Sequence, residues 1–286
     1  MREDLDQLKA EFSFGVAIDG SSMALQSLDV VMRLIKERSE GQKPKVEKIH
    51  CLHVENPTKQ EALSLQSAHF KNSARLRFDK EAMIEMRWHQ SKIEKVSAYQ
   101  PGVFHMLESM ARENKVDLLV VGTYGLNGEK KDRIGRMTQF SMANSQTPVF
   151  IVKPAFKITE AQRGFLFCVD GLAPSTKAFL FALKYLVRSK DQVYLFYKNT
   201  HEEMKGFFDN YIDLLESIGV KYENIFSSDK SKNVAAEIVE LAAKLQTEII
   251  VLGKKRTRKE AFLGSISDHV AAKTRSSLIL CKDTNF

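Results

Sequence analysis

The chain has 286 residues, 43% hydrophobic and 28% charged, with a formal net charge of +7 at pH 7. That length suggests two domains, and that balance belongs to a folded globular protein, not a disordered one. No run approaches the roughly 18 consecutive apolar residues of a membrane span, and the start, MREDLDQLKAEF, is too charged for a secretory leader, so no membrane partner is expected.

Phe14–Ile18 is a short apolar run ending at Asp19-Gly20, the pattern of a buried strand followed by a turn. Leu25, Leu28, Val31, Leu34 and Ile35 recur at the spacing of an amphipathic helix. Lys48–Val54 reads as a second strand. Residues 57–100 are charged and ambiguous, one long helix plus a strand. The third of five strands is placed at Ile93–Ala98, with Met83–Trp88 nearly as good. Met83 and Met86 stand three apart, a helical spacing typical of core fillers. Val116–Val121 is a clear strand, Met137–Asn144 a helix stopped before Pro148, and Val149–Val152 a last strand.

The order then repeats. Phe165–Val169 is followed by a helix through Phe179, Leu183 and Leu186, and by a strand at Val193–Tyr197. A helix near Phe207–Ser217, a strand near Lys221–Phe226 and a helix near Ala235–Leu245 come next, before strands at Ile249–Leu252 and Leu278–Cys281. Three landmarks match in order: VAIDGSS with FCVDGLA, DLLVVG with EIIVLG, and PVFIVK with SLILCK. The chain therefore reads as a duplicated domain, residues 1–156 and 162–286, joined by a short linker near Pro154 to Arg163. Apolar strands alternating with amphipathic helices imply, in each copy, a doubly wound parallel five-stranded α/β sheet covered on both faces, with right-handed crossovers.

Glycine is scarce, 14 of 286, yet Gly122, Gly125, Gly128 and Gly135 fall within fourteen residues, directly after a strand. Glycine permits close backbone approach there. Successive loop N–H groups can cradle an anion, and the helix starting near Gly135 adds its positive dipole end. Ligands of open parallel sheets sit at the carboxyl ends of the strands, and Asp19 belongs to that same edge. There is no G-x-x-x-x-G-K-[ST] and no G-x-G-x-x-G after the first strand, which speaks against a Walker-type ATPase and a Rossmann dinucleotide site.

Asp-Gly after the first strand, Gly122-x2-Gly125-x9-Gly135 after the fourth, and PVFIVK as last strand resemble the universal stress protein family, over nearly all of both copies. The resemblance implies a tandem member with an adenine nucleotide alpha hydrolase-like fold. It also implies that the first copy binds ATP or another adenine nucleotide, with Mg bridging phosphate oxygens rather than sitting in a protein cage. The positions it marks are Asp19 and Val54 beside adenosine, with Val121, Gly122, Gly125, Gly135, Arg136 and Met137 around ribose and phosphates. One departure stands out: the family's Ser/Thr after the last glycine is Arg136 here. A hydroxyl is lost, and a guanidinium able to pair with phosphate is gained. The second copy keeps Asp170, Gly253, Gly264 and Ser265, but its loop is two residues shorter and runs Lys254-Lys255-Arg256 with no middle glycine. Such a loop is not expected to wrap a triphosphate in the family manner.

Other features carry less. His50 and His53 lie an odd distance apart on one strand, so they face opposite ways and cannot easily share a metal. There is no HExxH, no C-x-x-C and no G-x-S-x-G. Ser21 and Ser22 read as helix caps. Cys51, Cys168 and Cys281 sit in separate apolar runs, as free buried thiols of a reducing, cytoplasmic compartment do. The charge excess is even, +4 up to Ile158 and +3 after it, which argues against a nucleic-acid partner; the run KKRTRK at 254–259 reads first as a solvated loop, next as an anion-binding loop in place of the glycine cradle, and last as a nucleic-acid contact. No side chain offers itself as a base for attack on phosphate, so any ATP hydrolysis is expected to be slow. The expected function is adenine-nucleotide binding with a sensing or switching role. The alternative is an interaction or scaffold protein with neither site filled. Family members pair through their last strands, so the two copies are expected to pair internally as a pseudo-dimer, which leaves homodimer formation open.

Overall fold

A computed structural model describes residues 12–39, 47–55, 84–92, 102–125, 128, 134–156, 162–198, 205–229, 233–254 and 265–282. The chain divides into two compact units that meet in sequence between Pro154 and Ala155.

The first unit runs β1 (Ser13–Ile18), α1 (Ser22–Ser39), β2 (Glu47–Glu55), β3 (Ile84–Lys92), α2 (Val103–Glu113), β4 (Leu118–Gly122), α3 (Arg136–Asn144) and β5 (Val149–Val152). Its strands lie parallel in the order β3-β2-β1-β4-β5. Chain direction across the sheet therefore reverses between β1 and β4. The central strands are buried on both faces, which explains their unbroken apolar runs. α1 packs on β1 and β4, while α2 lies on β2 with α3 beside it.

The second unit repeats the plan: β6 (Gly164–Val169), α4 (Ala173–Tyr185), β7 (Gln192–Lys198), α5 (Lys205–Ser217), β8 (Lys221–Ser227), α6 (Val234–Lys244), β9 (Ile249–Lys254), α7 (Ser265–Lys273) and β10 (Ser277–Lys282). Its parallel order is β10-β9-β6-β7-β8. Phe167, Phe179, Tyr211 and Phe208 form a chain of edge-on ring contacts in its core.

Two expectations need correction. The third strand is Ile84–Lys92, which overlaps the weaker choice, Met83–Trp88; the favoured choice, Ile93–Ala98, lies outside the described residues. The strand pairs with β2 alone, at the edge of the sheet, so it alternates Met86 and Trp88 with Arg87 and His89 instead of running apolar throughout. Met86 accordingly belongs to a strand and not to a helical stripe. α2, for which the sequence pattern suggested no assignment, buries Phe104, Leu107, Met110 and Ala111 against β2. No helix among the described residues is long and apolar enough to cross a membrane.

Candidate functional site

The carboxyl ends of β1 and β4 flank the reversal point, where an open parallel sheet leaves a crevice. β1 ends at Ile18, and Asp19 follows. Gly20 takes φ +83°, a left-handed turn that favours glycine. Asp19 Oδ1 accepts the Ser21 N–H at 3.0 Å, and Ser21 Oγ accepts the Ala24 N–H at 3.2 Å, capping α1. The turn is thus held by its own polar groups.

Strand register decides which residues share the crevice. Ala17 pairs with Leu52, and Gly15 pairs with Leu119. Side chains alternate along a strand, so Asp19, Val54 and Val121 all belong to the face that α2 covers. Val121 is buried, while Asp19 and Val54 are half-buried. The opposite face carries His53, whose Nδ1 donates to the Ile18 carbonyl at 2.8 Å; a carbonyl only accepts, which fixes the tautomer. The Trp88 ring lies beside it at 6.0 Å.

The glycine loop folds onto this edge. A Cβ on Gly122 would stand 2.8 Å from Met23 Cβ of α1. A Cβ on Gly125 would run into the Asp19 carboxylate. The Gly135 N–H donates to the Thr123 carbonyl at 2.8 Å, and a Cβ there would stand 3.3 Å from Tyr124 Cα. Close approach therefore requires glycine at 122, and a side chain at 125 would have to push the Asp19 carboxylate aside. The structure brings together Asp19, Gly122, Gly125 and Gly135, and places Arg136 and Met137 at the start of α3. Arg136 is exposed and Met137 half-buried. No side chain caps α3, and its first turn holds no acid, so its positive end is unanswered by any carboxylate of its own.

Two hydroxyls that the sequence pattern did not mark hold the loop. Thr123 Oγ1 donates to the Val152 carbonyl at 2.7 Å, and Thr138 Oγ1 to the Gly122 carbonyl at 2.7 Å. Thr138 stands two residues past Arg136, in the helix turn where the family places its hydroxyl, and that position was the available signal.

In the second unit Asp170 is exposed, after β6, with Gly171 at φ +74°. Its Oδ1 accepts the Ser175 hydroxyl and the Leu172 N–H. Gly253, next to last in β9, lies beneath the first turn of α4: a Cβ there would collide with the backbone of Pro174 and Ser175. Ser265 opens α7, Gly264 lies outside the described residues, and so does all of KKRTRK beyond Lys254.

Among the described residues no three His, Cys, Asp or Glu side chains gather as a metal site. His50 Nδ1 lies 2.9 Å from His89 Nε2, on the face opposite His53. Burial, and then Arg87, push the His89 pKa down. Burial pushes the Cys51 thiol up to about 12 and raises Cys168 and Cys281 as well. These thiols stay protonated and inert at neutral pH.

Residues 13–153, nearly all of the first unit, match the model of the universal stress protein family. Over 149 residues the chain is 27% identical to the universal stress protein YxiE of Bacillus subtilis (strain 168), covering 48% of this chain and 96% of that one. A universal stress protein of Archaeoglobus fulgidus DSM 4304 aligns with TM-score 0.66 at 16% identity, over 95% of this chain and 98% of that one. A protein of Pseudomonas aeruginosa UCBPP-PA14 described as a universal stress protein aligns with TM-score 0.60 at 14% identity, over 94% and 92%. At these identities the structural likeness is one of fold, and it extends over both units.

Proposed function

The chain belongs to the universal stress protein family through its first unit, and on that premise we propose that this unit binds an adenine nucleotide reversibly, as a sensor or switch. The observation that carries the reading is the cradle at Gly125, where any side chain would displace the Asp19 carboxylate. A backbone held that close to an acidic turn, at a strand end and ahead of an uncapped helix, suits a ribose and phosphates. Asp19 and Val54 would take the adenosine. Gly122, Gly125 and Gly135 would give backbone room, and Arg136 would pair with phosphate oxygens in place of the missing hydroxyl. Among the described residues no side chains gather as a metal cage, so magnesium would arrive on the nucleotide.

Titration calorimetry with ATP, ADP and AMP tests this. Arg136→Ala is expected to weaken ATP by about ten- to a hundredfold, the worth of a hydrogen bond to a charged group, and AMP by less. No heat and no retained nucleotide at millimolar ligand would leave the scaffold reading, whose supporting observation is Arg136 itself in the hydroxyl position.

A further inference from the structure

We propose that the second unit is a closed copy of the site, sealed by its own side chains, and that one chain therefore takes up one nucleotide. The count rests on the first-unit reading above, but the seal does not.

Strand register aligns the copies residue by residue. Ile18 pairs with His53, and Val169 pairs with Tyr197. Ile18 and Val169 each precede the Asp-Gly turn, so Val54 corresponds to Lys198. The helix caps Gly102 of α2 and Asn233 of α6 correspond as well, so Met106 corresponds to Glu237. Where the first unit has valine and methionine, the second has an ion pair. Lys198 Nζ stands 3.1 Å from Glu237 Oε2, with the two side chains 9% and 16% exposed. This pair bridges β7 and α6 on the sheet face where a purine needs apolar surface. A base inserted there would force the ammonium and the carboxylate apart with little water to solvate them.

Two further contacts distinguish the second copy from the first. Asp170 Oδ1 accepts the Leu172 N–H, as Asp19 accepts that of Ser21, and in addition the hydroxyl of Ser175, where the first unit has Ala24. At the phosphate end, α7 carries Asp268 in its first turn, whereas α3 has no acid there. A carboxylate already answers that helix dipole. Lys254, 6% exposed at the end of β9, faces Asp268 electrostatically: burial pushes its ammonium pKa down, and Asp268 pulls it back up.

The test uses the full chain, calorimetry with ATP, and photolabelling with 8-azido-ATP. The expected result is one site per chain, label only in peptides from residues 12–156, and loss of that site in Gly125→Val. Two sites, or label in peptides from residues 162–286, overturns the proposal. A nucleotide-independent arm compares Lys198→Val, Glu237→Met and the double variant by hydrogen exchange of β7 and α6 in urea. Each single variant is expected to lower the midpoint, and the double variant, which recreates the first unit's apolar pair, to recover most of it. Additive losses refute the seal. No calorimetric site at all overturns the count together with the first-unit reading, and the variant cycle still decides the seal.

Discussion

Asp191 lies wholly inside the second unit between two guanidinium groups. Arg163 Nη2 and Arg188 Nη2 approach its oxygens at 2.8 and 2.7 Å, and Arg163 also donates to the Leu186 carbonyl. Burial alone would raise the carboxyl pKa, but hydrogen bonds from Arg188 and Arg163 outweigh it and hold the group below its usual range. Asp191→Ala would leave Arg163 buried without its carboxylate, an expected loss of about 3–5 kcal/mol in urea unfolding. The sign with pH follows from the depressed value. The stabilisation is complete above the ordinary aspartate pKa of about 3.9 and is lost as pH falls through the lower folded value. Acid unfolding of wild type and Asp191→Asn is expected to differ in that window. None of this shows in the sequence, where Arg163 falls at the end of a linker and Asp191 follows a lysine. Asp19 and Gly125 were legible because a turn and a glycine spacing mark them locally.

At the scale of elements, the two copies of one strand end behave differently. Gly122 faces a side-chain carbon, Met23 Cβ, whereas Gly253 faces backbone. Met23 Cβ cannot rotate away, since the α1 backbone fixes it, but it stands 2.8 Å off, and the backbone of Pro174 and Ser175 approaches Gly253 more closely still. Gly122→Ala is expected to cost about 1–3 kcal/mol, the range for overpacking, and Gly253→Ala more than that, compared by thermal unfolding. Ser21→Ala removes the cap on α1 and should cost about 0.5–2 kcal/mol in the same measurement. The central strands and α1 could be read from their apolar periods. β3 could be read only as the second choice, Met83–Trp88, because an edge strand with one neighbour has polar positions that imitate a surface helix. α2 shows its pattern in full, with Phe104, Leu107, Met110 and Ala111 on one face after Pro101-Gly102. The charged stretch before it masks where the element begins.

For the molecule as a whole, the two readings proposed make one copy the ligand site and the other a copy filled from within. Nucleotide at a hundred times its dissociation constant stabilises the state that binds it by about 2.7 kcal/mol. Hydrogen exchange is expected to slow by that amount in β1, α1 and β4 of the first unit, and to stay unchanged in β6, α4 and β9 of the second. Equal slowing in both units would contradict the difference between them.

The sequence alone determined the strand cores, the Asp-Gly turns, the glycine loop, the family resemblance and the repeat, because each is written in neighbouring residues through backbone preference and apolar period. Tertiary structure decided what those pieces meet. Asp117 and Ser13 exchange hydrogen bonds across 104 residues, and Glu248 holds Gly164 across 84. Contacts of that span set the strand order and register. Register in turn puts Val54 on the face of Asp19 and Lys198 against Glu237. A one-residue slip would turn each of them to the other side of the sheet, and no local pattern in either segment records which register the folded chain adopts.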